Sequence, residues 1–532
     1  EFKSYYLILK EVGMRKALVI LIGVLMAVMF AAESYAAIEM GGTIDVRGRW
    51  RENNNDLNKD ESGSTAFWQE KVNIWVDAKI AEGLRGYIEL QTGGATSSKG
   101  WMTLGTSRSS SYCTTGSQAD VNTTTGDCNY TGSAGADYAP NSFMNENESL
   151  ASMAIRYAYI DFMIPSTPVG IKIGHFPVVL GHSIWANTGI WGSDGLLLYV
   201  VPIKELMIGL GTLKGYDTAT NSERSDADLY VLLANYTFIP KNTVGFNASY
   251  INRAGGNNNA LNNEYWADLA AGGAANDGPA AGGGTQPFNQ INNVKVWNVM
   301  LTLDGAFDMG LGYKFEVDKQ FGKFTTGATT GTATATNFKT SGLALLAGAG
   351  YKIADIAKVD LDIAYGSGDK CTAFVTETAG SNCSSSGTKF EGYISFNDYA
   401  YTMIYEDIVG QKRARGTKSA AGVYTSGLTA ADFGLYNTMY AKLGAGVTPI
   451  KDMSIDLNLY YLRAVKEYYY NQKKNIGFEG DLIFGYNIYK NLKWTFMAGY
   501  FLPGNHYKAI DTNDYTKDDA AWAFEQKLSL KF

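Results

Sequence analysis

The stretch AWAFEQKLSLKF, from Ala521 to Phe532, places an apolar side chain at nearly every second position. Read with a period of two, one face of this stretch is apolar except for Gln526 and consists of Trp522, Phe524, Gln526, Leu528, Leu530 and Phe532. Ten steps of about 3.3 Å, tilted by about 40°, span roughly 25 Å, the height of the apolar band of a transmembrane β-barrel. The stretch therefore predicts a strand with one apolar face, against lipid or against a second sheet, and one face in water.

The N-terminal region has the three parts of a secretory signal. Met14, Arg15 and Lys16 form a basic start, an apolar run follows from residue 17 to residue 32, and Ser34-Tyr35-Ala36 is a small-x-small cleavage site. The apolar run is shorter than a membrane-spanning helix requires. We therefore expect residues 1–13 to come from a translation start assigned too far upstream. Residues 14–36 are expected to be a signal peptide, and residues 37–532 are expected to form the barrel.

Charge and composition narrow the function classes. The chain has a net charge of −7, with 45 Lys and Arg against 52 Asp and Glu, which predicts no basic surface for nucleic acid. No stretch after the signal is long and apolar enough for a transmembrane helix. A membrane location would therefore require a β-barrel.

The four cysteines form two close pairs, each inside a segment rich in Ser, Thr, Gly and Asn. In an exported chain this spacing predicts two loop disulfides, Cys113 with Cys128 and Cys371 with Cys383. The chain has only three histidines, so a metal site at the cysteines is disfavoured.

Alternating segments recur along the chain, separated in turn by long polar loops and very short turns. They predict eighteen strands, at 38–50, 67–80, 84–93, 153–164, 169–178, 194–202, 205–214, 226–239, 243–253, 293–304, 308–320, 338–351, 357–367, 433–448, 452–466, 474–488, 491–502 and 521–532. Short turns on one rim and long loops on the other are typical of outer-membrane barrels. The fold prediction is an all-β transmembrane antiparallel barrel with long extracellular loops and short periplasmic turns.

Several predicted strands carry charges on one face only, as in KVDLDIAYG at 358–366. Charge at a strand centre is costly against lipid or a dry core, so this face predicts a wet lumen. Soluble antiparallel sheets with one solvated face are the alternative. The predicted pore-lining residues carry equal numbers of both signs and are Asp45, Arg47, Arg49, Lys71, Asp77, Lys79, Arg85, Glu89, Lys172, Lys314, Glu316, Asp318, Lys358, Asp360, Asp362, Asp456, Glu479, Asp481, Lys493, Glu525, Lys527 and Lys531.

The final strand resembles the sorting signal by which outer-membrane barrels are recognised. In that resemblance Phe532 is the residue read by the barrel-assembly machinery from the periplasm. The first predicted strand follows the predicted cleavage site at once, so we expect neither a plug nor a passenger domain ahead of the barrel. About eighteen strands enclose a channel too wide for lining side chains to fill.

The segment VGIKIGHFPVVLGHSIWANTGIWGSDGLLLYVVPIKELMIGLGTLKG, residues 169–215, resembles alginate-export-like porins, in which a Gly-led strand and a Leu-Gly-His turn precede an Asp-Gly. IEMGGTIDVRGRW at 38–50 and FWQEKVNIWVDAKIAEGLRGYIELQ at 67–91 extend the resemblance. It implies an eighteen-stranded barrel and solute passage. Members often carry Arg-Gln after the glycine of the first of these strands, whereas this chain has His175 and Phe176 after Gly174.

The candidates for chemistry are few. His182 beside Ser183 is the enzyme hypothesis, but polar rim residues are the simpler interpretation. The cluster DTNDYTKDD at 511–519 could bind a divalent ion, although a solvated loop is the simpler interpretation. We therefore predict no catalytic, cofactor-binding or metal-binding residues, no cofactor and no enzyme activity.

The predicted function is a porin of the Gram-negative outer membrane for passive diffusion of small hydrophilic solutes or ions. The alternative is a conduit for an exopolysaccharide chain or a periplasmic electron-transfer cytochrome. Expected partners are outer-membrane lipid, lipopolysaccharide, the barrel-assembly machinery and small solutes, while a homo-oligomer and a partner protein in the lumen stay open. At least one of the loops 94–152, 254–292 and 368–432 is expected to fold inward, with Trp185 and Trp191 of loop 181–195 as packing anchors.

Overall fold

The computed structural model of the chain describes residues 37–53, 57, 65–92, 101–103, 153–189, 192–216, 227–253, 291–326, 336–368, 389–395, 401–405, 434–466, 473–506 and 519–532. The predicted signal peptide, the predicted disulfides, Trp191 and the acidic cluster at 511–518 lie outside these residues. Within the described residues, no helix has both the length and the hydropathy to cross a membrane.

The wall consists of eighteen long strands, as the alternating pattern predicts. We number them β1 (Ala37–Glu52), β2 (Thr65–Ala81), β3 (Leu84–Thr92), β4 (Met153–Met163), β5 (Val169–Phe176), β6 (Ser193–Ile203), β7 (Leu206–Tyr216), β8 (Ala227–Ile239), β9 (Asn242–Arg253), β10 (Ile291–Ala306), β11 (Leu311–Thr326), β12 (Leu343–Ile353), β13 (Ala357–Gly366), β14 (Thr438–Val447), β15 (Met453–Ala464), β16 (Asn475–Tyr489), β17 (Leu492–Pro503) and β18 (Ala521–Lys531). Short strand segments lie at Met102–Thr103, Val179–Leu180, Ala186–Asn187, Thr336–Thr340 and Lys389–Phe390.

Each wall strand pairs antiparallel with the next one in sequence, and β1 pairs with β18. This last pairing turns the sheet into a closed barrel and leaves the wall without an edge strand. The alternative of separate soluble sheets is therefore wrong, and the predicted all-β antiparallel barrel is confirmed.

Most predicted strand bounds lie within two or three residues of the observed ones. The largest differences occur at the long-loop rim, where β11 ends at Thr326 instead of residue 320, β12 begins at Leu343 instead of residue 338 and β14 begins at Thr438 instead of residue 433. Residues 336–340 form a separate strand that pairs with the end of β11, which is why the predicted strand appeared longer.

The two rims differ as predicted. Connections of two to five residues join β2 to β3, β4 to β5 and every second pair after them, and all of these lie at one rim. Several of these turns hold a residue with positive φ, among them Gly83, Ser166, Lys241 and Asp452. The strand ends that the long connections join lie at the opposite rim.

The outer face of the wall is apolar. Large hydrophobic side chains are exposed there on every side of the barrel, for example Leu210, Leu459 and Phe478. On the opposite face, Lys314 of β11 contacts Asp362 of β13 at 3.1 Å across the intervening β12. Contacts over an intervening strand occur on a concave surface, which identifies this face as the inside of the barrel.

The C-terminal residue completes the closure of the barrel. The backbone N–H of Gly42 donates to the carbonyl of Phe532 at 2.9 Å, and the N–H of Phe532 donates to the carbonyl of Gly42 at 3.1 Å. A Cβ at Gly42 would lie 2.6 Å from the Phe532 ring and 2.6 Å from the carbonyl oxygen of Asn73. Glycine at position 42 therefore leaves the room that the terminal aromatic ring occupies.

We expect Gly42→Ala to lower the free energy of unfolding by about 1–3 kcal/mol, because the added methyl group overlaps both the ring and the backbone of β2. The temperature at which the folded band disappears on a detergent gel measures this effect. Gly312→Ala is the matched control, because a Cβ there meets no atom closer than 3.7 Å. Equal unfolding temperatures for Gly42→Ala and the unmodified protein would contradict the closure argument.

Candidate functional site: the charged interior

Charge on the inner face is divided between two sides of the barrel. One side, formed by β17, β18 and β1–β5, carries more basic than acidic residues and is called the basic sector. Its charged inner-face residues are Lys493, Lys527, Lys531, Arg47, Arg49, Arg51, Lys71, Lys79, Arg85, Arg156 and Lys172 against Glu525, Glu39, Asp45, Asp77, Glu89 and Asp161.

The opposite side, formed by β10–β16, has the reverse balance and is called the acidic sector. Its charged inner-face residues are Asp304, Glu316, Asp318, Asp360, Asp362, Asp456, Glu479 and Asp481 against Lys314, Lys352, Lys358 and Lys442. Between the two sectors, the described inner-face residues of β6–β8 are mainly apolar and include Leu197, Leu213, Leu229, Val231 and Leu233. The equal numbers expected from the sequence therefore conceal a separation of charge across the lumen, which sets up a transverse field.

Glycines allow ion pairs to cross a whole strand in the acidic sector. Lys314 reaches Asp362 over Gly348 of β12, and Lys358 reaches Asp456 at 2.8 Å over β14. A Cβ at Gly348 would lie 2.3 Å from a carboxylate oxygen of Asp362. The alternate glycines of β12 and β14 thus keep these charged groups close to the wall.

Two chain segments fold into the barrel from the long-loop rim. The first comprises the described residues 177–189 and 192 of the connection between β5 and β6 and is called the first inner segment. Its residues Leu180, Ile184, Trp185 and Ala186 are buried, and Trp185 is 0 % exposed. The indole N–H of Trp185 donates to the hydroxyl of Ser249 in β9 at 2.7 Å. The predicted anchoring role of Trp185 is therefore confirmed.

His182 fixes the first inner segment to the acidic sector. Its Nδ1 lies 2.7 Å from Glu316 Oε2 and its Nε2 lies 2.7 Å from Asp304 Oδ1. Since a neutral imidazole can donate through only one nitrogen, the doubly protonated cation satisfies both carboxylates. Burial lowers the pKa of His182, but the hydrogen bonds to Glu316 and Asp304 outweigh burial and raise it above 6.5.

The second inner segment comprises the described residues 389–395 and 401–405 of the connection between β13 and β14. The side chain of Gln320 in β11 pairs with the backbone of Ile394, donating to its carbonyl at 2.6 Å and accepting from its N–H at 3.0 Å. The carboxylate of Glu479 accepts from the N–H groups of Ile404 at 2.6 Å and Tyr405 at 2.9 Å. The expected inward folding of a long loop is therefore confirmed for the described residues 389–395 and 401–405 of loop 368–432.

The two inner segments also contact each other. The hydroxyl of Ser395 donates to the carbonyl of Ile184 at 2.6 Å, and the rings of Trp185 and Tyr393 lie 6.4 Å apart. The carboxylates of Glu316, Asp318, Glu479 and Asp481 are at most 4 % exposed beneath these segments. These predicted lining residues lie on the inner face, but they hold the segments and do not border open water.

The lumen stays more open toward the short-turn rim. There the side chains of Lys358 and Lys79 are 57 % and 52 % exposed, and that of Lys314 is 36 % exposed. Along the strands, the inner segments therefore cover the middle and the long-loop half of the acidic sector, and exposed charged side chains lie below them.

Aromatic rings accompany the cations of the basic sector. Arg85 pairs with Asp77 through two hydrogen bonds of 2.8 and 2.9 Å and lies 5.2 Å from the Tyr87 ring centroid. The guanidinium of Arg47 lies 3.7 Å from the ring centroid of Trp101, which belongs to the described part of loop 94–152. Cation–π contacts of this kind stabilise the positions of the two guanidinium groups.

Sequence reasoning missed several of these residues. Arg156 lies on the inner face because the register of β3 and β4 shifts by one residue beside it, and simple alternation assigns it to the other face. Lys442 follows the regular alternation of β14 and could have been identified by that signal. The role of His182 depends on partners more than a hundred residues away in sequence, for which no local signal exists.

Comparison with known proteins gives structural similarity only. No family model matches the chain, and no curated protein matches it in sequence. One similar solved structure is OccK11 (OpdR) of Pseudomonas aeruginosa, which is 9 % identical, with 93 % of this chain and 96 % of that chain covered and a TM-score of 0.44. A second is OccAB1 of Acinetobacter baumannii, which is 10 % identical, with 93 % of this chain and 97 % of that chain covered and a TM-score of 0.45. A third is a BenF-like porin of Pseudomonas fluorescens Pf-5, which is 8 % identical, with 93 % of this chain and 98 % of that chain covered and a TM-score of 0.45. At these values the similarity assigns neither a family nor a solute to this chain.

The ion pairs of His182 should make the docking of the first inner segment depend on pH. The folded-state pKa of His182 is raised, so its stabilising contribution is complete below about pH 6.5 and is lost as the pH rises through the folded-state value. Hydrogen exchange of residues 178–188, corrected for intrinsic rates, should therefore become faster at alkaline pH. His182→Gln should remove this dependence, and a pH-independent exchange in the unmodified protein would contradict it.

Replacing Glu479 should release the second inner segment. Glu479→Ala leaves the buried N–H groups of Ile404 and Tyr405 without their acceptor, and a buried donor without a partner costs about 1–3 kcal/mol. We expect larger single-channel conductance and greater open-channel noise in a planar bilayer. Glu479→Gln is the matched control, because it removes the carboxyl group but keeps an acceptor oxygen and nearly the same volume. Equal conductance of the alanine variant and the unmodified protein would show that this segment does not restrict the pore.

Proposed function

We propose that the chain forms a water-filled channel in the Gram-negative outer membrane, through which small hydrophilic solutes or ions diffuse passively. The observation that carries this proposal is the charged interior, in which a basic sector faces an acidic sector inside an apolar outer wall. Charge of both signs at exposed interior positions requires water in the lumen. The two inner segments narrow this lumen and supply the size limit that a sieve needs.

The alternative of a conduit for a polysaccharide chain or a cytochrome gains no support from the described residues. Both inner segments pack against the wall through buried aromatic rings and hydrogen bonds, so the interior already contains part of this chain. A threaded partner would have to displace them. Co-purification with a stoichiometric haem protein or polymer would favour the conduit over the channel.

The remaining expectations on family, chemistry and partners extend this proposal. The resemblance of residues 169–215 to alginate-export-like porins supports that family hypothesis on sequence grounds only. We assign no catalytic role to His182, because both of its ring nitrogens contact carboxylates. The exposed ring of Phe532 supports recognition by the barrel-assembly machinery.

Charge neutralisation on the exposed part of the acidic sector tests the channel. Lys358→Gln should shift the reversal potential in a salt gradient toward cations, and Asp456→Asn should shift it toward anions. We expect a change in the permeability ratio of roughly twofold for each, because salt screens single charges in water. Lys204→Gln is the control, since this side chain is 90 % exposed in a rim turn.

Stepwise conductance with opposite shifts for the two variants is the expected outcome. If the folded, unmodified protein produced no conductance steps in a planar bilayer, the channel proposal would be overturned. Conductance with unchanged reversal potentials in both variants would place the ion path elsewhere than along the acidic sector.

A further inference from the structure

A groove of about 470 Å³ crosses the outer face of β15–β18. Leu457, Leu482, Ala498 and Phe524 form one cross-strand row, and Leu459, Gly480, Tyr500 and Trp522 form the next row toward the long-loop rim. Gly480 and Ala498, the two smallest residues, are diagonal neighbours in these rows and form the floor of the groove. Its volume lies within the range of about 300–1,000 Å³ that is usual for small-ligand sites.

The larger side chains of both rows stand on either side of this floor. Leu457, Leu482 and Tyr500 are 42 %, 40 % and 50 % exposed, and the rings of Trp522 and Phe524 lie 5.0 Å apart at an angle of 50°. The lining contains no charged side chain. An apolar chain lying along the groove would therefore contact leucine and aromatic side chains on both flanks.

Wall packing does not account for the glycine in the floor. A Cβ at Gly480 would meet only Leu459 Cδ2, at an ordinary contact distance of 3.5 Å, and its φ lies outside the positive range. By contrast, a Cβ at Gly499 would lie 3.0 Å from Ile404 inside the barrel. Gly480 could therefore carry a side chain, and its absence leaves space on the lipid side of the wall.

Basic residues lie above the groove at the long-loop rim. Arg463 of β15 has an exposed side chain on the outer face and is four residues from Leu459, a distance of about 13 Å along the strand. Lys473, just before β16, is exposed as well. Among the described residues, neither cation has an ion-pair partner.

We propose that this groove and the two cations bind lipopolysaccharide, with one acyl chain in the groove and a lipid A phosphate at Arg463 and Lys473. The long-loop rim is the extracellular one in the proposed channel, so the groove lies in the outer leaflet, which lipid A occupies; the inference rests on that proposed location. The negative phosphate complements the unpaired cations, and the separation of about 13 Å places it at the polar surface above the acyl layer.

Native mass spectrometry of protein refolded without lipopolysaccharide and then titrated with purified lipid A tests the proposal. The unmodified protein should retain one lipid A molecule, and Gly480→Leu should weaken retention on the order of tenfold because the new side chain fills the groove. Gly86→Leu is the matched control: this outward glycine lies on β3, next to exposed Ile160, with no atom within 4 Å of an added Cβ.

The double variant Arg463→Gln with Lys473→Gln should lose the preference for lipid A over its dephosphorylated form, while Lys204→Gln should keep it. Equal retention of lipid A and phosphatidylglycerol by the unmodified protein would overturn the proposal. Unchanged retention of lipid A by Gly480→Leu would also overturn the proposal. If that variant in addition converts a dimer to a monomer, the groove is a contact between two copies of this chain.

The planar-bilayer measurement separates this inference from the proposed channel. Gly480→Leu should fold and conduct as the unmodified protein does, because the substitution lies on the outer face. A Gly480→Leu variant that loses lipid A binding but conducts normally therefore supports the lipid site without bearing on the channel. Absence of conductance in the unmodified protein and in all variants would contradict the proposed channel and not the lipid site.

Discussion

Closure of the wall is the constraint on which the rest of the structure depends. A backbone N–H or C=O that faces hydrocarbon without a partner costs several kcal/mol, so a sheet in lipid cannot keep an open edge. Here the closing pair is β1 with β18, and its hydrogen bonds continue to the C-terminal residue, Phe532. The glycine at position 42 is a consequence of this constraint, since only a residue without a side chain leaves room for the terminal ring at the seam.

A closed barrel of eighteen strands has an interior that the wall side chains cannot fill. The two inner segments occupy part of this space. Chain that enters the interior brings backbone N–H groups away from bulk water, and these groups need acceptors. Gln320 and Glu479 provide them from the wall. A charged residue at a strand centre therefore has one of two roles here: it borders the aqueous path, as Lys358 does, or it binds the backbone of an inserted segment, as Glu479 does.

The period-two pattern was sufficient to predict the wall because both faces of each strand have distinct environments, lipid outside and polar groups inside. Prediction was less accurate where this contrast ends, as at residues 336–340, which pair as a strand beyond the apolar belt, and at the bulge beside Arg156. Apart from the bulge beside Arg156, alternation predicted which residues face the interior, but it did not predict which segments cover them. Contacts such as Ser395 with Ile184 join positions 211 residues apart, and no local pattern encodes them.

Glycine is present for different structural reasons on the two faces of this wall. The distances from a hypothetical Cβ to the neighbouring atoms distinguish these reasons. Inside, Gly348 is required because charged groups of the neighbouring strands meet directly over it, so a side chain there would break an ion pair. At the seam, Gly42 is required by a ring. Gly480 has neither constraint, since a side chain would fit against the wall, yet it lies between exposed leucine and aromatic residues. A residue that the fold does not require but that shapes a surface is explained by what contacts that surface, and on this side of the barrel that is lipid.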